Sequence, residues 1–381
     1  MFKIGIELTP AIEQKTGIGN VSYLIAKNII KFCEERDFYF KYIYNFIKTK
    51  NRKELLLNSE KNKNYIIPLP KRIYYNLYKY KIPINFFVSS LDILHITGLI
   101  KISVFKKTKI ISTIHDIAFK ILADFYDDSF VKELDDRIRY LCDKSIFIIT
   151  SSFSTKNDLI KFYNVPFKKI KVVYFTEDEI FRKKKENYEL ENFRKNNKLP
   201  EHYFLFVGSL EKRKNLKNII YAFQKFKKYD IKNFYLIIIG KDNEKIRKEI
   251  NFDDNIIFTG YVKDADLPYY YHFADGLLYC SYYEGFGLPI LEAFSSQIPV
   301  ITTNNSSMSE LAGAAGIYVN EPENINEISE KMLYLANIKN DEKENLLKIE
   351  REILKKFEIK ECIKKILECY KEIKNNDFSV V

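Results

Sequence analysis

Short runs of apolar, β-branched and aromatic residues alternate along this chain with longer segments whose apolar positions return every three or four residues. FKIGIEL (2–8), DILHI (92–96), KIISTIH (109–115) and IFIIT (146–150) are of the first kind, and NVSYLIAKNIIKF (20–32) and TKNDLIKFY (155–163) are of the second. Uninterrupted apolar runs predict strands covered on both faces, and strands that alternate with helices predict a parallel sheet. The rhythm stops in a charged interval, EDEIFRKKKENYELENFRKNNKLP (177–200). It restarts with YFLFVG (203–208), FYLIIIG (234–240), NIIFTG (255–260), GLLYC (276–280), PVITT (299–303) and GIYVN (316–320), which read as six strands with helices between them. The fold class this predicts is α/β: two doubly wound domains in tandem, with ligands expected in a crevice at the carboxyl ends of their sheets. The expected boundaries are 1–176 for the first domain, 177–200 for a linker and 201–356 for the second domain. A helical tail, 357–381, follows.

Composition narrows the class. The chain has 381 residues, enough for two cores, and its 46% hydrophobic content with 12 Gly and 10 Pro is that of a globular protein. MFKIGIELTP has no basic n-region or cleavage site, so it reads as a strand, and no apolar run reaches the length of a membrane-spanning helix. A cytoplasmic protein is expected. Cys33, Cys142, Cys280, Cys362 and Cys369 are scattered, with no histidines spaced to complete a metal site, so reduced structural thiols and no bound metal are expected. The formal charge of +11 suits a polyanionic partner without choosing among nucleic acid, anionic lipid and phosphorylated ligands. KRIYYNLYKYK (71–81), containing Lys71, Arg72, Tyr74, Tyr75, Tyr78 and Lys79, fits a membrane interface or a solvated helix with a tyrosine face.

Four places carry candidate chemistry. TGIGN (16–20) opens a helix after the first strand, where Gly17 and Gly19 let backbone N–H groups approach a phosphate or simply make a turn. His115 and Asp116 end a strand, where a histidine either meets a substrate or satisfies the strand-end backbone; His95 ends another strand, and His202 and His272 look incidental. In FVGSLEKRKNL (206–216), Arg213 and Lys214 stand just ahead of a helix, a placement that the helix dipole disfavours unless an anion is near; a diphosphate would be one. In SYYEGFGLPILEAF (281–294), Glu284 leads into a Gly-Phe-Gly turn, Pro289 sits where its missing N–H is harmless, and Glu292 lies within an otherwise apolar helix. Such a carboxylate needs a partner, and paired ribose hydroxyls would serve. The backbone of Gly285, Phe286, Gly287 and Leu288 offers donors for phosphate oxygens.

Taken together, TGIGN, IHD (114–116), SSFSTKNDL (151–159), FVGSLEKRKNL, GYVKDADLPYYYHFAD (260–275) and the two glutamates eight residues apart, Glu284 and Glu292, resemble glycosyltransferase family 4 over nearly the whole chain. Those enzymes are retaining and have the two-domain GT-B architecture with Rossmann-like halves. The resemblance implies that the first domain binds the acceptor and the second the nucleotide sugar, with the final helix crossing back to the first domain. It implies that Gly17 and Gly19 line the diphosphate loop and that His115 faces the transferred sugar. Arg213 and Lys214 would hold the diphosphate, Glu284 the sugar hydroxyls, Glu292 the ribose, and the turn around Val262 the base. Three departures stand out: VVYFTEDE (172–179) lacks the usual Asn-Gly, SSQIPV (295–300) lacks a Gly, and Ser209 stands where many relatives have a phosphate-binding Arg. No cofactor is implied beyond the donor itself.

The wording of GSLEKRKNL, EGFGLP and NNSSMSELAG is similar to that of bacterial mannosyltransferases of surface-polysaccharide and lipopolysaccharide assembly. That suggests GDP-mannose as donor and a glycan or lipid-linked acceptor, with peripheral contact at the inner face of a membrane. A UDP-sugar donor is the nearest alternative. A sugar-nucleotide epimerase, a phosphorylase and a non-catalytic basic membrane-binding protein are the competing readings. Asp264-Ala265-Asp266 has the letters of a metal-binding D-x-D but opens a helix, so metal-independent transfer without nucleic acid is expected.

Overall fold

The computed structural model describes residues 1–13, 17–47, 56–57, 59–229, 233–240 and 253–375. They form two compact units, one of residues 1–176 with the segment from Phe357 onward, the other of Glu177–Lys356.

The first unit holds strands β1 (Phe2–Glu7), β2 (Phe38–Asn45), β3 (Asn62–Ile67), β4 (Ile93–Ile96), β5 (Lys109–Ile114), β6 (Ser145–Thr150) and β7 (Ile170–Val172). Their order is β3-β2-β1-β4-β5-β6-β7, with every neighbouring pair parallel. The apolar runs are buried on both faces: Ile4, Ile6, Ile93, Leu94, Ile111, Ile114, Ile148 and Ile149 are fully enclosed, as central strands of a helix-covered sheet require.

The last described helix, Ile359–Lys374, packs on this unit through Ile363, Ile366, Leu367, Tyr370 and Ile373, a three-and-four spacing that lines one helical face. It contacts helix Gly17–Phe32. Lys374 pairs with Asp37 at 2.6 Å and Glu372 with Lys171 at 2.9 Å, and Lys371 pairs with Glu35. The Tyr370 hydroxyl lies 2.6 Å from His95 Nδ1, whose Nε2 meets Thr113 Oγ1 at 2.8 Å. Burial holds His95 down at about 3. This neutral histidine links the helix to the sheet.

The second unit has strands β8 (His202–Val207), β9 (Phe234–Ile239), β10 (Ile256–Gly260), β11 (Gly276–Tyr279), β12 (Val300–Thr303) and β13 (Gly316–Val319). They are all parallel, in the order β10-β9-β8-β11-β12-β13. In both sheets the chain starts near the middle, winds to one edge, returns and winds to the other, so both are doubly wound, the fold class read from the hydrophobic pattern. A core of Phe204, Phe206, Phe223, Phe226, Leu236 and Ile238 fills the space between this sheet and helix Leu216–Phe226. The charged interval 177–200 belongs to this unit and contains helix Asn187–Asn196, whose Phe193 stacks on Tyr269 at 4.5 Å.

Segment 71–81 turns three of its four tyrosines inward, Tyr74, Tyr75 and Tyr78. Tyr74 is buried and donates to Glu7 Oε1 at 3.2 Å, and Tyr78 meets Tyr140 edge-on at 4.6 Å. Lys71, Arg72, Lys79, Tyr80 and Lys81 stay exposed. Tyr74 and the partly buried Tyr75 therefore serve the core. Among the described residues, no helix is long and apolar enough to cross a membrane.

Candidate functional site

The carboxyl ends of β8 and β11 are neighbours in the second sheet, so the loops that follow them meet. The chain leaves β8 through Gly208, whose carbonyl oxygen would lie 1.9 Å from a Cβ placed on Gly240 at the end of β9. Only glycine permits that approach. Residues Lys212–Lys214 then make one 3-10 turn, closed by Asn215 in a left-handed conformation, and helix Leu216–Phe226 begins. Asn215 is buried and its side-chain amide donates to the Cys280 carbonyl at 2.9 Å, fastening this loop to the end of β11. The Tyr282 N–H donates to the Arg213 carbonyl at 2.9 Å.

These backbone contacts bring Glu284 between the two cations. Arg213 Nη1 lies 2.8 Å from its Oε2, and Lys214 Nζ lies 2.6 Å from its Oε1 and 3.0 Å from the Tyr279 hydroxyl. Arg213 Nε also donates to Glu211 Oε2 at 2.8 Å, and the Ser209 hydroxyl donates to the other Glu211 oxygen at 2.8 Å. The anion that the sequence calls for beside Arg213 and Lys214 is thus supplied within the protein. Burial by itself would raise the Glu284 carboxyl, but the adjoining guanidinium and ammonium override it and hold the group at about 2. Lys214 is pulled below its usual range by burial, with Arg213 adding to the effect and Glu284 opposing it.

The turn after Glu284 is held from the start of helix Ser306–Ala312, which follows β12. The Glu284 N–H donates to Ser306 Oγ at 3.1 Å, and the Ser307 hydroxyl donates to the carbonyls of Glu284, at 2.8 Å, and Phe286. Gly287, with φ of 118°, caps helix Leu288–Ser295, and Pro289 lies in its first turn. That φ is strained for any residue with a Cβ. Glu292, one turn in, accepts a hydrogen bond of 2.6 Å from the Tyr271 hydroxyl. Burial pushes its carboxyl up to about 7; Tyr271 opposes the rise, while Glu177 and Asp264 reinforce it. Glu177 itself is held by Arg182 and by the Ser295 hydroxyl. Val262 follows Gly260 at the end of β10, on the same carboxyl edge of the sheet. Asp266 immediately precedes helix Leu267–Phe273.

The remaining sequence-predicted residues lie in the first unit. Gly17 and Gly19 form the first turn of helix Gly17–Phe32, while Thr16 lies outside the described residues. His115 directly follows β5. Its Nε2 donates to the Thr97 carbonyl at 3.1 Å, and its own carbonyl accepts from Thr155 Oγ1 at 3.1 Å. Burial lowers its pKa, so it is a neutral ring tied to the strand ends.

Sequence reasoning did not single out Tyr271, Tyr279, Glu211 or the Ser306-Ser307 pair. Tyr271 is one of three consecutive tyrosines, and no local signal separates it from Tyr269 and Tyr270. Ser306 and Ser307 do carry one: they open a helix just after a strand, where hydroxyls bond to neighbouring backbone.

The two parallel, doubly wound units are of GT-B type, and the second carries two cations at a strand-to-helix turn. Residues 188–352 match the family described as "Glycosyl transferases group 1", and this stretch is a glycosyl transferases group 1 domain. The chain is 30% identical to O-antigen chain mannosyltransferase B of Escherichia coli over 231 residues, 58% of this chain and 60% of that protein. It is 31% identical to the O-antigen chain mannosyltransferase RfbU of Salmonella typhimurium over 221 residues, 55% of this chain and 56% of the relative. Each match spans less than two thirds of the relative's length. Sucrose-phosphate synthase from Thermosynechococcus elongatus has the same fold, with a TM-score of 0.76 at 15% identity over 99% of this chain and 100% of that one.

Proposed function

We propose that this protein is a glycosyltransferase that moves a hexose, with retention at the anomeric carbon, from a nucleoside-diphosphate donor to a glycan or lipid-linked acceptor in surface-polysaccharide synthesis. Mannose from GDP-mannose is the first choice of donor, in keeping with the names of the two O-antigen relatives. The observation that carries the reading is the convergence of Arg213 and Lys214 on Glu284, beside the Gly287-capped helix, inside a glycosyl transferases group 1 domain.

The chemistry follows from charge. A departing nucleoside diphosphate gains negative charge as the glycosidic bond breaks, and fixed cations in a site shielded from water stabilise it without reorganising. Arg213 and Lys214 supply those cations. Glu284 keeps them ionised and in place. Each of its oxygens has a further lone pair, so it can accept a hydroxyl of the sugar while staying paired. Glu292 receives the ribose, the Gly285–Leu288 backbone faces the phosphates, and the turn at Val262 faces the base. By the family resemblance alone, His115 is assigned to the transferred sugar and Gly17 and Gly19 to the diphosphate. No metal has a role in this scheme.

The acceptor side includes a membrane. Lys71, Arg72, Lys79 and Lys81, with Tyr80 73% exposed among them, form a basic surface suited to anionic headgroups.

A thermal-shift screen with GDP, UDP, ADP and dTDP tests the donor site. At ~100 times its dissociation constant, a ligand adds about 2.7 kcal/mol of stability. GDP is expected to raise the midpoint most, a larger rise with UDP would replace mannose with a UDP-linked sugar, and no rise with any of the four would remove the donor site. Release of nucleotide from the matching donor then separates a transferase from a binding protein.

A further inference from the structure

Glu292 is not held by its own helix. Its fixed neighbour is Tyr271, on helix Leu267–Phe273, whose hydroxyl donates to Oε2 at 2.6 Å. Tyr271 is fully buried, and the ring of Phe181 meets it edge-on at 5.5 Å, so the hydroxyl has little freedom to leave. Among the described residues, Oε1 of Glu292 takes no hydrogen bond.

We propose that Tyr271 is the positioning residue of the ribose subsite: its hydroxyl fixes one oxygen of Glu292 and keeps that carboxyl an acceptor, leaving the other oxygen for the ribose hydroxyls. The proposal rests on the reading of Glu292 as the ribose contact. A protonated carboxyl would present a donor in place of one acceptor, and two ribose hydroxyls bind best to a group that accepts from both. The surroundings make the proton a real competitor. Burial, Glu177 and Asp264 favour it, Lys214 and Tyr271 oppose it, and the group sits at about 7.

The other titratable residues around this helix do not take over the role of Tyr271. Tyr279 on β11 is itself pushed well above its usual range and stays a neutral donor, as does Tyr271. Helix Asn340–Leu354 brings Glu350, which burial keeps protonated near neutral pH. Helix Ser306–Ala312 has Glu310 as its one charged residue, and β12 has no titratable residue.

The test compares GDP with 2′,3′-dideoxy-GDP, and UDP with its dideoxy analogue, by calorimetry from pH 5.5 to 9. Both members of a pair carry the same diphosphate, so the ratio of their affinities cancels phosphate titration and reports the ribose hydroxyls alone. The parent is expected to prefer the ribose form by about tenfold or more above pH 8, the worth of a charged hydrogen bond, and to lose that preference as the pH falls through about 7. Tyr271→Phe fills the same space without the hydroxyl. It should bind the dideoxy compound as the parent does, which shows the pocket intact, while its ribose preference appears only at higher pH. Glu292→Gln should show a small preference that does not change with pH.

A Tyr271→Phe profile that overlays the parent's, or a pH-dependent preference in Glu292→Gln, overturns the role of Tyr271. A parent with no ribose preference at any pH overturns the assignment of Glu292 instead. If neither nucleotide pair binds, the donor site itself is misplaced.

Discussion

Lys214 and Glu284 stand 70 residues apart in the chain and 2.6 Å apart in the fold, each with less than a tenth of its side chain exposed. Arg213 closes the other side of the same carboxylate. Removing one member of such a buried group leaves uncompensated charge, at a cost of about 3 to 5 kcal/mol. Glu284→Gln should therefore lower the melting midpoint. A nucleoside diphosphate can then stand in as counter-ion, so the midpoint rise on adding GDP should be larger in the variant than in the parent, while kcat falls by one to two decades, the worth of a lost charged hydrogen bond. Equal ligand-induced rises in the two proteins would mean that Glu284 and the diphosphate do not share the cations.

Glu292 sets function against stability. Its carboxyl is raised to about 7 in the folded state, so the contribution it makes when protonated is present below the ordinary carboxylate range and is lost as the pH rises through about 7. If Glu292 holds the ribose as proposed, it does so alike in ground and transition states, and Glu292→Ala should raise the donor KM with little change in kcat. The same variant should melt no lower than the parent at pH 8. Steady-state kinetics with melting curves at pH 6 and 8 check both; an unchanged KM with a lowered midpoint would make Glu292 a packing residue.

Glu350 is a stability liability. It is fully buried on helix Asn340–Leu354, neither carboxyl oxygen has a hydrogen-bond partner among the described residues, and burial raises it to about 9. Its folded value lies above its unfolded one, so stability should decline as the pH climbs from the ordinary carboxylate range toward 9, by up to about 1.4 kcal/mol per pH unit for one group. Glu350→Gln is expected to flatten the decline, with a gain in midpoint at pH 8.5 and none at pH 4.5. Parallel melting curves for the two proteins across that range would show that the carboxyl finds a partner.

Transfer should persist in EDTA. In the proposed donor site, Arg213, Lys214 and the helix N-terminus capped by Gly287 would bring positive charge to the diphosphate, the task a divalent cation performs elsewhere. Asp264, of the only D-x-D sequence, lies within reach of the Tyr261 hydroxyl at 3.3 Å, and Asp266 opens a helix. Turnover that stops in chelator and returns with magnesium or manganese would contradict this.

The basic surface of segment 71–81 should bind anionic vesicles. Each lysine or arginine near such a surface contributes about 1 kcal/mol, screened by salt. Replacing Lys71, Arg72 and Lys79 with Glu should abolish co-sedimentation with phosphatidylglycerol vesicles at low salt and leave GDP binding as it was. Vesicle binding that survives the triple change would place the contact elsewhere.

The strands were legible in the sequence because a strand buried on both faces must be apolar at successive positions, a property of the residues themselves. FYLIIIG and KIISTI could be little else. The strand-to-helix turns were legible too, since Gly208, Gly287 and Pro289 mark backbone conformations that other residues resist. What the tertiary structure decided is which turns meet. Because β8 lies beside β11, the loop with Arg213 and Lys214 faces the loop with Glu284, and a motif read as awaiting an external anion proves to carry its own. Because helix Leu267–Phe273 turns Tyr271 toward Glu292, one tyrosine of three joins the proposed site, and because Tyr74 reaches Glu7, an apparent interfacial tyrosine joins the core. Local pattern reflects only neighbours along the chain, within a helical turn or a strand; pairing across 20 or 70 residues depends on the order in which strands line up, and that order is set by packing the whole sheet.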